Sequence, residues 1–180
     1  MGTLSEESAQ GTMEFMGTRP VRDFTFVLSK FLAAVKVVAL ILLVTLPLGI
    51  SFAFFGNLDT GVLFSQYCAA LLLAAWLLAL GVALSSLCQN PISSLVLTAV
   101  ISFVALVLGT EIVTAVLPLA VAPFLNAMAP LNHYHSMARG VLDVRDIVYA
   151  VSSVGIFLSI AYLHLLKRRV GNVKTLYRRY

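Results

Sequence analysis

A long uncharged stretch is the feature that most limits what this sequence can become. No Asp, Glu, Lys or Arg occurs from residue 60 to residue 110, and most residues there are aliphatic or aromatic. A helix needs about 20 consecutive apolar residues to cross the hydrocarbon core of a bilayer, which is about 30 Å thick. The interval is too long for one such helix and suits two, so the sequence predicts an integral membrane protein.

Composition supports the same class. Hydrophobic residues make up 60% of the 180 residues and charged residues 11%, whereas soluble domains average about 45–50% and about 25%. The net charge of +4 does not indicate nucleic-acid binding, because the basic residues flank apolar runs as they do in membrane proteins. The first 30 residues lack the apolar run of a cleavable signal peptide, so we expect the first long apolar segment to be a span.

Four membrane-spanning helices are predicted, in an all-α fold. They cover residues 31–55, 62–88, 92–109 and 147–166. Pro91 separates the second span from the third, because a residue before proline disfavours helical geometry. Pro47 and Gly49 predict a bend in the first span. Small residues four apart in the second span, such as Ala75 and Ala79, predict that it lies centrally in the bundle.

The segment 111–131 is apolar but poorly suited to crossing the membrane. It contains Pro118, Pro123 and Pro130, and each proline removes a backbone donor and interrupts a helix. We therefore expect short helices that dip into the outer leaflet, forming a re-entrant segment before the last span. A fifth crossing here would instead move the basic C-terminal tail to the opposite side.

The distribution of Lys and Arg predicts that both termini are cytoplasmic. Ten of the 12 basic residues lie before residue 37 or after residue 166, and cytoplasmic segments of membrane proteins carry an excess of Lys and Arg. An even number of spans also puts both termini on one side. The predicted organisation is a cytoplasmic segment at 1–30, a transmembrane domain at 31–166 and a basic cytoplasmic tail at 167–180.

The N-terminal segment has the pattern of a docking segment for a soluble partner protein. A capping-box spacing predicts a helix over residues 3–16, and Gly17 is a plausible stop. Pro20 suits the first turn of a second helix, whose apolar face from Phe24 to Phe31 is predicted to lie on the membrane surface. The alternative is a solvated leader that only satisfies the charge distribution.

A second polar constellation immediately precedes the last span. The candidates for an outer gate or cap are His133, Arg139, Asp143, Arg145 and Asp146. On a helix, Arg139 and Asp143 would lie four residues apart and could pair, which lowers the cost of charge close to lipid. One interpretation is an outer gate or substrate exit, and the other is a charged cap that fixes the depth of the last helix.

The sequence predicts neither a metal site nor an active site. His133 and His135 would face opposite sides of a helix. Cys68 and Cys88 are predicted about 30 Å apart on one helix, too far for a disulfide, and His164 is predicted to be a hydrogen-bonding residue at the membrane interface. The sequence contains no GxSxG, HExxH or GxxxxGK[ST] motif, so any energy it uses is expected from another chain.

Two segments resemble one family. EESAQGTMEFMGTRPVRDFTFVLSKFLA, residues 6–33, resembles the cytoplasmic coupling segment of ABC-2 type transporter permeases: an acidic pair, Gly-Thr-x-Glu, a Pro-Val turn and a Lys-Phe entry into a helix. HYHSMARGVLDVRDIVY, residues 133–149, resembles the segment before the last helix in the gliding-motility branch of that family.

The resemblance implies a permease subunit in a bacterial plasma membrane. It would pair with a second permease, as a homo- or heterodimer, and with two cytoplasmic ABC ATPase subunits that use ATP and Mg²⁺. The residues implied at or beside the ATPase interface are Glu7, Gly11, Thr12, Glu14, Arg19 and Pro20. The segment 111–131 would correspond to the outer re-entrant helices of the family.

The sequence also departs from the family pattern. Ser8, Ala9 and Gln10 stand where basic residues are usual, and two spans should precede the coupling segment. We therefore expect a chain that lacks the first two spans. The alternative functions are a non-transporting four-helix membrane scaffold or anchor, an inactive permease fragment, and an intramembrane enzyme or metal site built on His133 and His135.

Overall fold

The computed structural model of the chain describes residues 23–56, 59–88, 90–108, 110, 122–141 and 143–177. These residues form α-helices and no strand, so the all-α fold class is confirmed for this part of the chain. The helices are α1 (Asp23–Gly56), α2 (Thr60–Leu87), α3 (Pro91–Val107), α4 (Ala122–Met128), α5 (Pro130–Ala138) and α6 (Val144–Tyr177).

Among the described residues, three helical segments are long and apolar enough to cross a membrane. They are Phe24–Gly56, Thr60–Leu87 and Val144–Lys167, and they correspond to the first, second and last predicted spans. The third predicted span corresponds to α3, an apolar helix of 17 residues. Spanning helices contain about 17–25 residues, so α3 is at the short limit and the fourth crossing stays a prediction.

The break between α2 and α3 lies where the sequence predicts it. Helix α2 ends at Leu87, and α3 begins at Pro91. Proline suits the first turn of a helix, because a backbone N–H at that position would have no intrahelical partner. Asn90 has an extended backbone, with φ −101° and ψ 132°, as expected before proline.

Helix α1 runs through Pro47 without interruption and packs tightly on the start of α2. A Cβ atom on Gly49 would lie 3.1 Å from Cδ1 of Leu63 and from the hydroxyl oxygen of Tyr67. The Tyr67 hydroxyl donates to the backbone oxygen of Thr45 at 3.0 Å. The absence of a side chain at residue 49 therefore allows this antiparallel contact between α1 and α2.

Helix α2 is central in the bundle, as its small residues predict. It packs against α1, α3, α5 and α6, and every residue from Leu80 to Ser86 is buried. Small side chains let neighbouring helices approach closely where lipid provides no hydrophobic driving force. Trp76 is also buried, with its ring edge-to-face on Phe157 of α6 at 5.4 Å.

One end of the bundle is held by apolar packing, and we call it the packed end. Its core residues are Val27, Phe31, Ala79, Val82, Leu158 and Ala161. The sequence predicts that the face of Val27 and Phe31 lies on the membrane surface, but both side chains are buried against α2 and α6. Phe24 contacts Tyr162 edge-to-face at 5.9 Å, so the start of α1 lies beside the later part of α6.

Candidate functional site

A tight turn brings the start of α6 beside α5. Gly140 has φ of 96°, a left-handed conformation that glycine adopts without steric cost. A Cβ atom there would lie 3.0 Å from Cγ2 of Val62, so the turn also packs closely on α2. The side-chain amide of Gln66 donates to the backbone oxygen of Ala138 at 3.4 Å, which holds the end of α5 against α2.

His133 on α5 and Asp146 in the first turn of α6 form a partly buried pair across this turn. Nδ1 of His133 lies 2.6 Å from Oδ1 of Asp146, and the side chains are 13% and 7% exposed, respectively. The positive end of the helix dipole favours an acidic residue at the position of Asp146. The pair therefore fastens α5 to α6 where both meet α2.

The second ring nitrogen of His133 contacts the end of α4. Nε2 lies 3.0 Å from the backbone oxygen of Ala127, and a carbonyl oxygen can only accept. The tautomer with a hydrogen on Nε2 fits this contact, and Nδ1 faces the carboxyl group of Asp146.

Three consecutive carbonyl groups at the end of α4 accept hydrogen bonds from side chains. The donors are Asn132, His133 and Tyr149, and the acceptors are the backbone oxygens of Asn126, Ala127 and Met128, respectively. The last carbonyl groups of any helix lack intrahelical partners. These side chains satisfy them and thereby attach α4 to both α5 and α6.

Ring stacking completes the cluster. The rings of His133 and Tyr149 are 4.0 Å apart between centroids and inclined by 20°. The stacking holds the imidazole between Tyr149, Asp146 and the end of α4. We call the cluster of Asn132, His133, Asp146 and Tyr149 the polar end.

The charged residues around the turn do not pair as their spacing suggests. Arg139 and Asp143 are not on one helix, because α5 ends at Ala138 and the chain turns at Gly140. Asp143 precedes α6, and its Oδ1 accepts a hydrogen bond from the backbone N–H of Arg145 at 3.0 Å, which makes it a helix cap. Arg139 and Arg145 are exposed.

The polar end supports hydrogen bonding and ion pairing. His135 is exposed, with its ring edge-on to that of Tyr134 at 5.7 Å. In the described ranges, no group of three or more His, Cys, Asp or Glu residues is arranged to hold a metal ion. Cys68 and Cys88 are both free thiols, in agreement with the prediction that they cannot pair.

A cavity of about 10 Å³ adjoins the polar end. Apolar side chains of α2, α5 and α6 form much of its lining, together with Trp76, His133, Tyr134 and Asp146. Oδ2 of Asp146 is buried and has no hydrogen-bond partner among the described protein atoms. The cavity thus adjoins one buried acceptor at the start of α6.

A histidine also links helices at the packed end. Nδ1 of His164 lies 2.8 Å from the backbone oxygen of Ser86, one of the last carbonyl groups of α2. The prediction that His164 is a hydrogen-bonding residue is confirmed. With the Trp76–Phe157 contact, this bond shows that α2 and α6 run parallel.

The predicted site residues thus have different outcomes. The candidate coupling residues Glu7, Gly11, Thr12, Glu14, Arg19 and Pro20 lie outside the described residues. Of the gate or cap candidates, His133 and Asp146 are in contact, and the other three surround the turn. Asn132 and Tyr149 were missed, although Tyr149 follows Asp146 by three residues and shares its face of α6.

The comparison with protein families gives a match over most of the chain. The model described as ABC-2 family transporter protein matches residues 1–168. Comparison with curated proteins and with solved structures gives no significant match. The matched region contains both the packed end and the polar end.

Proposed function

The chain belongs to the ABC-2 family of transporter proteins, and we propose that it is the permease subunit of an ATP-driven exporter. In this proposal the chain forms the membrane path, and a separate cytoplasmic subunit binds ATP and Mg²⁺ and hydrolyses the nucleotide. A second permease subunit, identical or different, completes the transporter. This chain contributes no catalytic residue and no cofactor.

The family match over residues 1–168 carries the proposal. The long apolar helices agree with a membrane subunit. The sequence has no GxxxxGK[ST] motif. P-loop ATPases bind the phosphate groups of the nucleotide with a loop of this pattern. Nucleotide hydrolysis is therefore assigned to a partner.

The proposed topology has four crossings, by α1, α2, α3 and α6, with residues 111–131 re-entrant on the outer side. The contact of Phe24 with Tyr162 supports an even number of crossings, because α1 begins beside the later part of α6. Basic residues flank this end in sequence, so the positive-inside rule makes it cytoplasmic. The membrane is the inner membrane of a bacterium, and both termini are cytoplasmic.

The N-terminal segment is the proposed contact with the ATPase. Glu7, Gly11, Thr12 and Glu14 would lie at the contact, with Arg19 and Pro20 bracing it. Helix α1 follows directly, and its Val27 and Phe31 pack against α2 and α6 at the packed end. Movement of the segment would therefore act on three helices together.

The polar end is the proposed outer gate. The His133–Asp146 pair attaches α5 to α6, and the Tyr149 hydroxyl attaches α6 to α4. In the four-crossing topology these bonds attach α4 and α5, on the outer side, to the last span. Arg139 and Arg145 would lie at the outer surface, and Asp143 caps α6 there. Opening the gate would require these hydrogen bonds to break.

The proposal is tested by recovering the ATPase with the tagged chain from detergent-solubilised native membrane, followed by mass spectrometry. The variant Glu14→Lys is expected to reduce recovery at least tenfold, because it reverses a charge at the proposed contact. The matched control is Asp59→Lys, the same charge reversal at the turn between α1 and α2. Asp59→Lys is expected to leave recovery unchanged.

Two results would contradict the permease assignment. One is a stable partner that lacks a nucleotide-binding loop and is recovered equally with both variants, which would favour a membrane scaffold or anchor. The other is recovery of no ATPase by a bait of 19.4 kDa, which would favour an inactive fragment. A heavier bait would reveal further membrane-spanning sequence.

A further inference from the structure

We propose that the exposed face of α1 around Lys36 binds a membrane-spanning helix of a different protein, which carries an aspartate or a glutamate at the same depth in the bilayer. Lys36 lies within α1, and its side chain is exposed. The inference goes beyond the proposed function. It requires that α1 and α2 cross the membrane, and it does not depend on ATP or on transport.

The packing of α1 on α2 places Lys36 near the middle of the bilayer. The two helices are antiparallel, and the hydroxyl group of Tyr67 on α2 donates to the backbone oxygen of Thr45 on α1. Lys36 precedes Thr45 by nine residues, and Trp76 follows Tyr67 by nine residues. Lys36 and Trp76 therefore lie at about the same depth.

This depth is far from both ends of α2. Trp76 is 16 residues from Thr60 and 11 residues from Leu87, which correspond to about 24 Å and about 17 Å at 1.5 Å per residue. A hydrocarbon layer of about 30 Å centred on this helix begins about 6 Å inside each end. The five bonds from Cα to Nζ, each about 1.5 Å long, give a lysine side chain a reach of less than about 8 Å. The ammonium group of Lys36 therefore lies within the hydrocarbon layer.

A charge at this depth requires a partner. Charged side chains inside the membrane almost always face the interior of a bundle or pair with an opposite charge. Lys36 is exposed instead, on the same face of α1 as Leu32 and Leu40, which are 47% and 62% exposed, respectively. Within the described residues no carboxylate contacts it. The charge pair is therefore completed by a group from outside this chain.

Charge complementarity selects a different protein over a second copy of this chain. The described acidic residues are Asp23, Asp59, Asp143 and Asp146, and each lies at the start of a helix, close to an end of the bundle. In a second copy none of them is at the depth of Lys36, and a two-fold contact between α1 helices would bring two lysines together. If the partner is the second permease of the proposed transporter, that subunit is not identical to this chain.

Photo-crosslinking of the full chain in native membrane tests the proposal. A photoreactive amino acid at Leu40, one turn from Lys36 on the same face, should form an adduct with a membrane-spanning peptide of another protein. Mass spectrometry should find an aspartate or a glutamate within that peptide. Ile156 is the matched control position, because it is 59% exposed on α6 and lies at the same depth, next to the residue that contacts Trp76. It should give no such adduct.

Two substitutions of Lys36 separate its charge from the shape of the surface. Lys36→Leu should reduce the Leu40 adduct by roughly tenfold or more, because the acidic residue of the partner is then buried without its opposite charge. Lys36→Arg retains the charge and should retain the adduct. The unfolding midpoint of the solubilised chain should not fall in Lys36→Leu, because the new side chain is apolar and faces lipid.

Four results would overturn the proposal. They are an adduct that survives Lys36→Leu, an adduct only with a second copy of this chain, an adduct only with lipid, and a partner peptide that contains no acidic residue. Glu14→Lys, which tests the ATPase contact, should leave the Leu40 adduct unchanged. Failure of this inference is therefore distinguishable from failure of the proposed function.

Discussion

The two ends of this bundle are held together by different kinds of interaction. At the packed end, small and aliphatic side chains of α1, α2 and α6 bury one another, and Val27, Ala79 and Ala161 have no exposed surface. At the polar end, α4, α5 and α6 are joined by His133, Asp146 and Tyr149 through directed hydrogen bonds.

This difference predicts that the two ends of the bundle respond differently when the helices move. Close packing depends on many small contacts and resists any local change of volume. A hydrogen-bonded cluster depends on a few bonds that are either made or broken, and interhelical hydrogen bonds in membranes average only about 0.6 kcal/mol. We therefore expect the packed end to move as a unit and the polar end to open.

The largest expected effect comes from breaking the His133–Asp146 pair. The variant His133→Ala leaves the buried carboxyl group of Asp146 without a hydrogen-bond partner, which costs about 1–3 kcal/mol and more if the group is ionised. The midpoint of thermal unfolding, measured by circular dichroism on the detergent-solubilised chain, should fall accordingly. His135→Ala, on the exposed side of the same helix, is the control and should change it little. Equal losses in both variants would show that the pair does not hold the polar end.

The corresponding test at the packed end adds volume instead of removing a bond. Ala79→Leu inserts a side chain where α2 meets α1 and α6, and overpacking of this kind costs about 1–3 kcal/mol. Ala33→Leu makes the same change at an exposed position of α1. The unfolding midpoint should fall for Ala79→Leu alone. An unchanged midpoint there would mean that the packed end is looser than its burial indicates.

A substitution at Asp143, the N-cap of α6, tests whether the polar end depends on the first turn of that helix. Asp143→Ala removes the acceptor for the backbone N–H of Arg145, a loss of about 1 kcal/mol. Amide hydrogen exchange in the first turn of α6 should become faster. Asp143→Asn retains a capping oxygen and should restore slow exchange. Similar rates in both variants would contradict the capping role.

The smallest expected effect is at Tyr149, where one variant separates ring stacking from hydrogen bonding at the polar end. Tyr149→Phe keeps the ring beside His133 but removes the donor to Met128, at a cost of about 0.6 kcal/mol. Combined with His133→Ala in a double-mutant cycle, the two losses in unfolding free energy should not add, because both residues belong to one cluster. Additive losses would mean that the cluster is a set of independent bonds.

The central position of α2 could be predicted from the sequence, whereas the burial of Val27 and Phe31 at the packed end and the contacts of the polar end could not. Small residues at four-residue spacing suffice to make α2 central, because helical periodicity is local. The contact between His133 and Asp146 depends on Gly140, where a left-handed turn ends α5 and reverses the chain. Read as one helix, the same residues predict a pair between Arg139 and Asp143 that the turn prevents.

The short third helix has a consequence for the lipid around the protein. At 1.5 Å per residue, the 17 residues of α3 extend about 25 Å, less than the hydrocarbon thickness of about 30 Å. If α3 crosses the bilayer, the acyl chains beside it must shorten or disorder, while those beside the longer helices need not. The protein would then present two hydrophobic thicknesses around its circumference, and lipids would sort along it by chain length.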